Sequence, residues 1–261
     1  MKKTIAILLA LVMTVSLLAG CSKGGGNDGE KTLTVALTAA PTHLDPHPQA
    51  STDSYRVVTQ IYDRLVELDA DMKLVPVLAE SWEVKDETTT VFHLRKGVKF
   101  HDGNEMKAED VKFSLERCIA SPGVNYNYLI ISEINIIDDY TVEFKTSEPC
   151  SVLLQRLTLD AASILSKAAV ESTDDFDSHP VGCGPFKFVS WDTTSGEVVL
   201  EAFDDYWEGR PAIDKLVFKT IPESINRTVA LETKEADIAY DLAATDFESV
   251  EKNPDLKLEK A

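Results

Sequence analysis

Two histidines and a carboxylate lie close together in the stretch TTTVFHLRKGVKFHDG, which runs from Thr88 to Gly103. His93, His101 and Asp102 are residue types that act as general acids and bases or bind metal ions. A catalytic His–Asp pair also needs a nucleophile or a bound water beside it. The chain has neither a Gly-x-Ser-x-Gly nucleophile elbow nor a His-Glu-x-x-His zinc motif. We therefore expect neither a catalytic residue nor a metal ligand in this protein.

The elements that carry these histidines are predicted by alternation of apolar and polar residues. Apolar residues alternate with His93 before the Lys96-Gly97 break and with His101 after it. Period-two alternation on both sides of a break predicts a hairpin or a pair of strands. The apolar residues then face a core, and both histidines are expected to be solvated scaffold residues. Asp102-Gly103 is expected to turn the chain toward the next helix.

Strands and helices are interleaved irregularly along the rest of the chain. TLTVAL is predicted as a strand, INIIDDYTVEFKT as a hairpin, AASILS as a buried strand and MKAEDVKFSLERCIA as an amphipathic helix. A helix over DSYRVVTQIYDRL has Ser51 or Asp53 as its N-cap, since either residue type can cap it. This pattern predicts a mixed α/β fold with antiparallel elements.

The N-terminus is typical of an export signal. Lys2 and Lys3 precede the apolar run TIAILLALVMTVSLLAG, which ends at Cys21 and is short for a permanent membrane span. Leu18-Ala19-Gly20-Cys21 resembles a bacterial lipobox, in which the cysteine receives a diacylglyceryl group. Two acyl chains are enough for stable anchoring. The alternative is an ordinary signal peptide with a chance cysteine.

The charge balance limits the partners of the protein. The formal net charge is −18, and cleavage of the signal, which carries Lys2 and Lys3, makes it two charges more negative. The chain has no Lys/Arg cluster, so we expect no nucleic-acid partner, and anionic lipid would repel the body. The Gly-rich segment SKGGGNDGE after the signal is typical of a flexible tether.

The remaining cysteines do not define a metal site. Cys118, Cys150 and Cys183 share no Cys-x-x-Cys or zinc-like spacing. In an oxidising compartment they allow one disulfide, for example between Cys118 and Cys150, with one thiol left over. Three buried thiols that pack as small hydrophobic residues are an equally good interpretation.

Five separated segments resemble one protein family in their order and spacing. They are LVPVLAESWEV, FHLRKGVKFHDG with AEDVKFSLER, VGCGPFKFVSW, DDYWEGRPAIDKLVFKTI and ALETKEADIAYDL. Together they resemble the family 5 extracytoplasmic solute-binding proteins of peptide and nickel ATP-binding cassette transporters, of the oligopeptide- and dipeptide-binding type. The resemblance extends from about Leu33 to the last residue. Cys183 departs from the Thr or Ser that is common at its position.

The resemblance implies a periplasmic-binding-protein-like clamp with two lobes. Lobe one is expected to be largely present and lobe two missing, so the chain is expected to be a C-terminally truncated fragment. The predicted division is a lipoprotein signal peptide at residues 1–20, a lipid-anchored tether at 21–31 and solute-binding lobe one, an incomplete family domain, at 32–261.

The implied function is that of the substrate-binding component of an ATP-binding cassette importer. It would capture peptides outside the membrane, work without a cofactor, and deliver them to permease and ATPase subunits. The protein is expected to be a monomer held on the extracytoplasmic face of the cell membrane by lipid on Cys21. The alternatives are a receptor for nickel chelates, opines or another small solute, a signalling or adhesion lipoprotein, and an extracytoplasmic enzyme that uses His101 and Asp102.

Three segments are predicted to contact the ligand. The glycine loop has residue types that allow a close backbone approach or a sharp turn, and a structural turn at the entry to a strand is favoured slightly over direct ligand contact. The other two segments are implied by the resemblance. In the last one, Tyr240 would pack on a ligand side chain and Asp241 would pair with an amine, although a tyrosine at a strand end is also ordinary packing. The predicted residues are Ala40, Pro41, Thr42 and His43; Gly182, Cys183 and Gly184; and Ala239, Tyr240 and Asp241.

Overall fold

The computed structural model of the protein describes residues 29–48 and 50–259. The predicted signal peptide, Cys21 and most of the predicted tether lie outside the described residues. The elements below belong to one structural unit that begins at Thr32. Within the described part of the chain, no helix has the length and apolar composition needed to cross a bilayer.

Strands and helices alternate along this unit, as expected for a mixed α/β fold. The strands are β1 Thr32–Leu37, β2 Val66–Leu68, β3 Leu74–Pro76, β4 Ala79–Val84, β5 Thr89–Leu94, β6 Ile131–Asp138, β7 Thr141–Thr146, β8 Phe186–Asp192, β9 Glu197–Ala202, β10 Lys215–Thr220 and β11 Ile238–Ala239. The helices are α1 Thr52–Ile61, α2 Ala108–Ile119, α3 Leu153–Arg156, α4 Lys167–Glu171, α5 Ser224–Glu232 and α6 Phe247–Lys252. Short 3-10 turns lie at Asn125–Asn127, Asp160–Ala162 and Ala244–Asp246.

A five-stranded mixed sheet has the order β11-β1-β10-β9-β8. β1 pairs in parallel with both β10 and β11, whereas β9 is antiparallel to its two neighbours. Because parallel strands end at the same side of a sheet, the segments that follow β1, β10 and β11 leave from one edge. This edge is where the predicted ligand segments after β1 and β11 are located.

A second, four-stranded antiparallel sheet has the order β4-β5-β7-β6. α2 packs on its core with Val111, Leu115 and Cys118, all fully buried, which confirms the predicted helical face. The rings of Phe92 and Phe144 pack 5.0 Å apart on neighbouring strands of this sheet. The predicted hairpin over INIIDDYTVEFKT is confirmed as β6 and β7.

Two predicted strands are wrong. β5 pairs with β4 and β7, and the chain after Gly97 forms only an isolated bridge between Lys99 and Glu105. AASILS starts in a 3-10 turn and continues without strand pairing, although Ile164 and Leu165 are fully buried. Short apolar runs indicate burial, but periodicity cannot tell which of them find a partner strand.

The structure identifies the N-cap of α1 and the state of the three thiols. Ser51 is the N-cap of α1, and its hydroxyl accepts from the Ser54 N–H at 3.5 Å. Cys118, Cys150 and Cys183 are all free thiols, so no pair among them forms a disulfide in this structure. Cys150 is the half-buried member of the three.

Candidate functional site

Asp53 connects the first turn of α1 to the loop after β1. Its Oδ2 accepts hydrogen bonds from the Thr38 hydroxyl at 2.7 Å and from the Ala39 N–H at 3.0 Å. Its Oδ1 accepts from Nη1 of Arg56 at 2.6 Å. A buried carboxylate must be paired or hydrogen-bonded, and these three donors meet that requirement. Asp53 is therefore a structural anchor of the loop, whereas Ser51 caps the helix.

Arg56 links α1 to the segment after β11. Nη2 of Arg56 donates to Oδ2 of Asp241 at 2.7 Å, and its Cζ lies 4.1 Å from the ring centre of Tyr240. Burial opposes the charged form of Arg56, but hydrogen bonds to Asp241 and Asp53 outweigh burial and raise its pKa. A guanidinium over an aromatic face adds a cation–π attraction. One side chain thus orients both Tyr240 and Asp241.

Arg227, on α5, holds the backbone of the same segment. It is 3% exposed. Its guanidinium donates to the carbonyl oxygens of Tyr240 at 3.0 Å, Asp241 at 2.8 Å, and Ile221 and Pro222 at 2.7 Å each. Arg227 therefore joins the segments that follow β10 and β11.

Part of this segment remains accessible to a ligand. Tyr240 is 40% exposed, and the Asp241 side chain is 56% exposed. Asp241 has φ +53°, in the left-handed region that non-glycine residues seldom occupy. Sparsely populated backbone conformations persist only where the surroundings determine them. Here the Arg56 and Arg227 contacts do so.

The other predicted residues at this edge have mixed exposure. Ala40 is half-buried, and its Cβ lies close to Gly196 in the β8–β9 turn. Pro41 is buried, while Thr42 is exposed and its N–H donates to the Ser54 hydroxyl at 2.9 Å. Ala239 pairs with Ala36 of β1. We use the term candidate ligand surface for Ala40, Thr42, Tyr240 and Asp241.

His43 faces the scaffold. Its Nδ1 lies 2.9 Å from Oδ2 of Asp177, and Oδ1 of Asp177 accepts from the N–H groups of Leu44 at 2.8 Å and Asp45 at 2.7 Å. One carboxylate thus fixes three consecutive residues of the loop after β1. The side chain of Asp45 in turn forms a two-pronged ion pair with Arg117.

The predicted glycine loop packs beneath the end of α1. Gly182, Cys183 and Gly184 are all buried. The Gly184 N–H donates to the Ile61 carbonyl at 2.9 Å. A Cβ on Gly182 would lie 2.1 Å from the Ile61 carbonyl oxygen. This close backbone approach accounts for both glycines without a ligand.

His101 is not the solvated residue that the alternation predicted. Nε2–H donates to the Gly184 carbonyl at 3.0 Å, and the Gly182 N–H donates to Nδ1 at 3.4 Å. The ring also packs edge-on against Phe203 at 5.0 Å. Burial lowers the pKa of His101 from 6.5 to about 4. Both ring nitrogens are used by backbone, so the histidine joins its turn to the glycine loop.

The pH dependence of stability tests this geometry. Between pH 6.5 and about 4 the unfolded chain protonates His101 while the folded chain does not. The contribution of His101 to the free energy of unfolding therefore falls on acidification in this range, by up to about 1.4 kcal/mol per pH unit. His101→Gln should flatten this acid loss, measured by urea unfolding between pH 7 and pH 4.

Asp63 provides a control, because its titration changes the stability in the opposite direction on acidification. Burial raises the pKa of this carboxyl from 3.8 to about 7, and the Trp207 indole N–H donates to it at 2.7 Å. The folded chain takes up this proton before the unfolded chain does, so acidification adds stability through Asp63. Asp63→Asn should therefore steepen the acid loss. The interpretation fails if the wild type and both variants give parallel stability–pH curves.

Solved structures with the same architecture include periplasmic binding proteins. DppA from Helicobacter pylori in complex with the peptide STSA has a TM-score of 0.78 and 34% identity, covering 85% of this chain and 49% of that chain. AgaA from A. tumefaciens R10 in complex with agropinic acid has a TM-score of 0.80 and 34% identity, covering 85% and 46%. NikZ from Campylobacter jejuni in complex with Ni(L-His) has a TM-score of 0.78 and 25% identity, covering 87% and 46%. The fold is that of part of a solute-binding clamp.

Sequence comparison identifies the family. The profile described as bacterial extracellular solute-binding proteins, family 5 Middle, matches residues 73–261. The glutathione-binding protein GsiB of Pectobacterium atrosepticum is 34% identical over 235 residues, which cover 87% of this chain and 45% of that protein. The chain belongs to the family 5 bacterial extracellular solute-binding proteins. It spans about half the length of the curated relatives it matches.

Proposed function

We propose that the protein is the substrate-binding component of an ATP-binding cassette importer and that it captures peptides outside the membrane. The observation that carries the proposal is the candidate ligand surface at the carboxyl edge of β1 and β11. Ligands of open α/β sheets bind outside the carboxyl ends of the strands. Here Tyr240 and Asp241 are exposed and are held in place by Arg56 and Arg227.

Each exposed group matches part of a peptide. The Tyr240 ring offers apolar area to a ligand side chain, and the Asp241 carboxylate offers an acceptor to an amine. An extended peptide needs partners for its own N–H and C=O groups once water is excluded. Closure of a two-lobed clamp would exclude that water and give the permease a distinct shape to recognise.

We further propose where the protein is located and which subunits it works with. Lipid on Cys21 would hold residues 32–261 at the extracytoplasmic face through the tether at 21–31, as a monomer that delivers solute to permease and ATPase subunits. Catalysis has no part in this function. The family is a solute-binding one, and His101, the residue of the alternative enzymatic interpretation, has both ring nitrogens occupied by backbone.

A receptor for a small carboxylate solute is the second candidate. Arg56 is a guanidinium beside Tyr240, and it can accept a ligand carboxylate if Asp241 turns to another partner. Relatives and structural neighbours include proteins described with glutathione, agropinic acid and a nickel–histidine complex. A ligand screen separates the two candidates.

The test is a thermal-shift screen of the full-length protein against dipeptides to pentapeptides, glutathione, agropinic acid and nickel–histidine. A ligand at 100 times its dissociation constant should add about 2.7 kcal/mol of stability. Tyr240→Ala should lower the affinity for the ligand about tenfold, since it removes an aromatic contact worth roughly 1–1.5 kcal/mol. Tyr126→Ala is the matched control because Tyr126, 67% exposed, lies outside the candidate ligand surface.

Three results of the screen would contradict the proposed function or the proposed site. A shift with a carboxylate solute and none with any peptide overturns the peptide assignment. Equal affinity for Tyr240→Ala and Tyr126→Ala means that the ligand binds elsewhere on the protein. No shift with any compound of the screen contradicts both candidates.

A further inference from the structure

A second concave site lies on the four-stranded sheet. A cavity of about 460 Å³ is located between the β4–β5 turn and the segment that follows β7. This volume is within the range of roughly 300–1,000 Å³ that is typical of small-molecule pockets. None of its lining residues belongs to the candidate ligand surface. The two sites can therefore be tested independently.

Part of the lining of this cavity is apolar. Val84, Pro149, Leu153 and Leu154 line it, and Val84 is an exposed large hydrophobic residue, at 61%. Binding of a ligand that removes such apolar area from water is favourable.

Two of the hydroxyl groups that line the cavity already donate hydrogen bonds within the protein. The Thr88 hydroxyl donates to Oδ1 of Asp86 at 3.0 Å, and the Thr146 hydroxyl donates to the Glu148 carbonyl at 2.8 Å. The protein itself takes up both donor hydrogens. An apolar ligand body can therefore contact this part of the lining without leaving these donors unpaired.

The rim of the cavity is negatively charged. Asp86 and Glu87 are exposed lining residues, and among the described residues no Lys, Arg or His side chain lines the cavity. Lys85, the neighbouring cation in the turn, is paired with Glu83 at 2.6 Å. Hydrogen bonds from Thr88 lower the pKa of the Asp86 carboxyl, and a carboxyl group with a pKa at or below its ordinary value is ionised at neutral pH. The charge of the rim is complementary to a cation.

We propose that this cavity binds a small organic cation with an apolar body, of the arylalkylammonium type. The apolar body packs against Leu153 and Leu154, and the ammonium group stays at the solvated rim beside Asp86 and Glu87. This placement avoids the cost of burying a charge, which a deep cationic site would incur. A neutral molecule of the same shape lacks the rim attraction and binds more weakly.

Cys150 provides a local readout because its free thiol is half-buried and lines the cavity. The experiment follows iodoacetamide alkylation of the Cys150 peptide by mass spectrometry, with 2-phenylethylammonium as ligand and 2-phenylethanol as its neutral counterpart. The ammonium compound should slow alkylation saturably, and at a several-fold lower concentration than the alcohol. Ligand-observed saturation-transfer NMR on the same pair measures binding independently of thiol reactivity.

The double variant Asp86→Asn/Glu87→Gln tests the role of charge. Each amide keeps the shape of the carboxylate it replaces, and the half-saturation concentration should rise about fivefold when two exposed attractions are lost. Asp138→Asn/Asp139→Asn removes the same two charges from the β6–β7 turn at the opposite end of the sheet, and should change little. Equal binding of ammonium and alcohol, an unchanged affinity in the Asp86/Glu87 variant, or no NMR transfer to either compound would each overturn the proposal.

Discussion

Arg227→Met is expected to lower the free energy of unfolding by about 3–5 kcal/mol, because four part-buried carbonyl groups lose their guanidinium donor. Arg227 is 3% exposed and donates to four carbonyl oxygens in the segments after β10 and β11. A buried acceptor that loses its partner costs about 1–3 kcal/mol, and water entering the site would recover only part of that. Urea unfolding followed by circular dichroism measures the loss.

Arg210→Met is the matched control. Arg210 forms ion pairs with Asp204 at 2.7 Å and with Asp214, but its side chain is 42% exposed. Solvent screens exposed ion pairs, so this variant should shift the urea midpoint much less than Arg227→Met does. Loss of Arg227, which donates to backbone carbonyls, is thus expected to destabilise the protein more than loss of Arg210, which pairs with two carboxylates.

A local measurement separates the contribution of the carbonyl bonds from general loss of stability. In Arg227→Met, backbone hydrogen exchange should accelerate most in residues 237–243, where the carbonyls of Tyr240 and Asp241 lose their donor. The amides of β5 in the other sheet should keep their relative protection. Equal midpoint shifts for the two arginine variants, or uniform acceleration along the chain, would contradict the assigned role.

Gly182→Ala is expected to cost about 3 kcal/mol or more, above the usual range of overpacking, because the added atom meets backbone. Its Cβ would lie 2.1 Å from the Ile61 carbonyl oxygen and 2.6 Å from Cδ1 of Tyr62. Ile61 ends α1 and is fully buried, so the helix end or the glycine loop has to move. Movement of the loop also disturbs the hydrogen bonds that His101 makes to Gly182 and Gly184.

Gly97→Ala distinguishes this steric effect from loss of backbone freedom. Gly97 has φ +76° and open space where a Cβ would be. Alanine there should cost only about 1–2 kcal/mol, the usual penalty of the left-handed conformation. Both variants are compared by urea unfolding at pH 7. If Gly182→Ala is as stable as Gly97→Ala, the glycine loop does not pack on α1 as described.

The fold class and the family could be predicted from local patterns. Alternation identified β5 and the β6–β7 hairpin, and helical spacing identified α2, because each signal lies within one contiguous segment. The same local reasoning failed for residues 98–101 and for AASILS. Both segments contain buried apolar residues, such as Phe100 and Ile164, but whether a segment with buried residues pairs as a strand depends on neighbours far along the chain.

The candidate ligand surface was only partly predictable. The resemblance pointed to the segments containing Ala40 and Tyr240, but nothing in the sequence indicated that Arg56 and Arg227 orient the second of them. Arg56 meets Asp241 across 185 positions of sequence, and the partners of Arg227 are backbone carbonyls, which have no residue signature. The Asp53–Arg56 spacing of three on one helix was the only local signal.

The sequence by itself determined the class of the protein, the position of its glycine loop and the absence of a recognisable catalytic motif. Only the tertiary structure decided what His101 does. Its alternation with apolar residues predicts a solvated side chain, yet residues eighty positions away fold over it and occupy both ring nitrogens. Burial and hydrogen bonding are properties of the assembled neighbours, and a local pattern reports only which side of its own segment a residue faces.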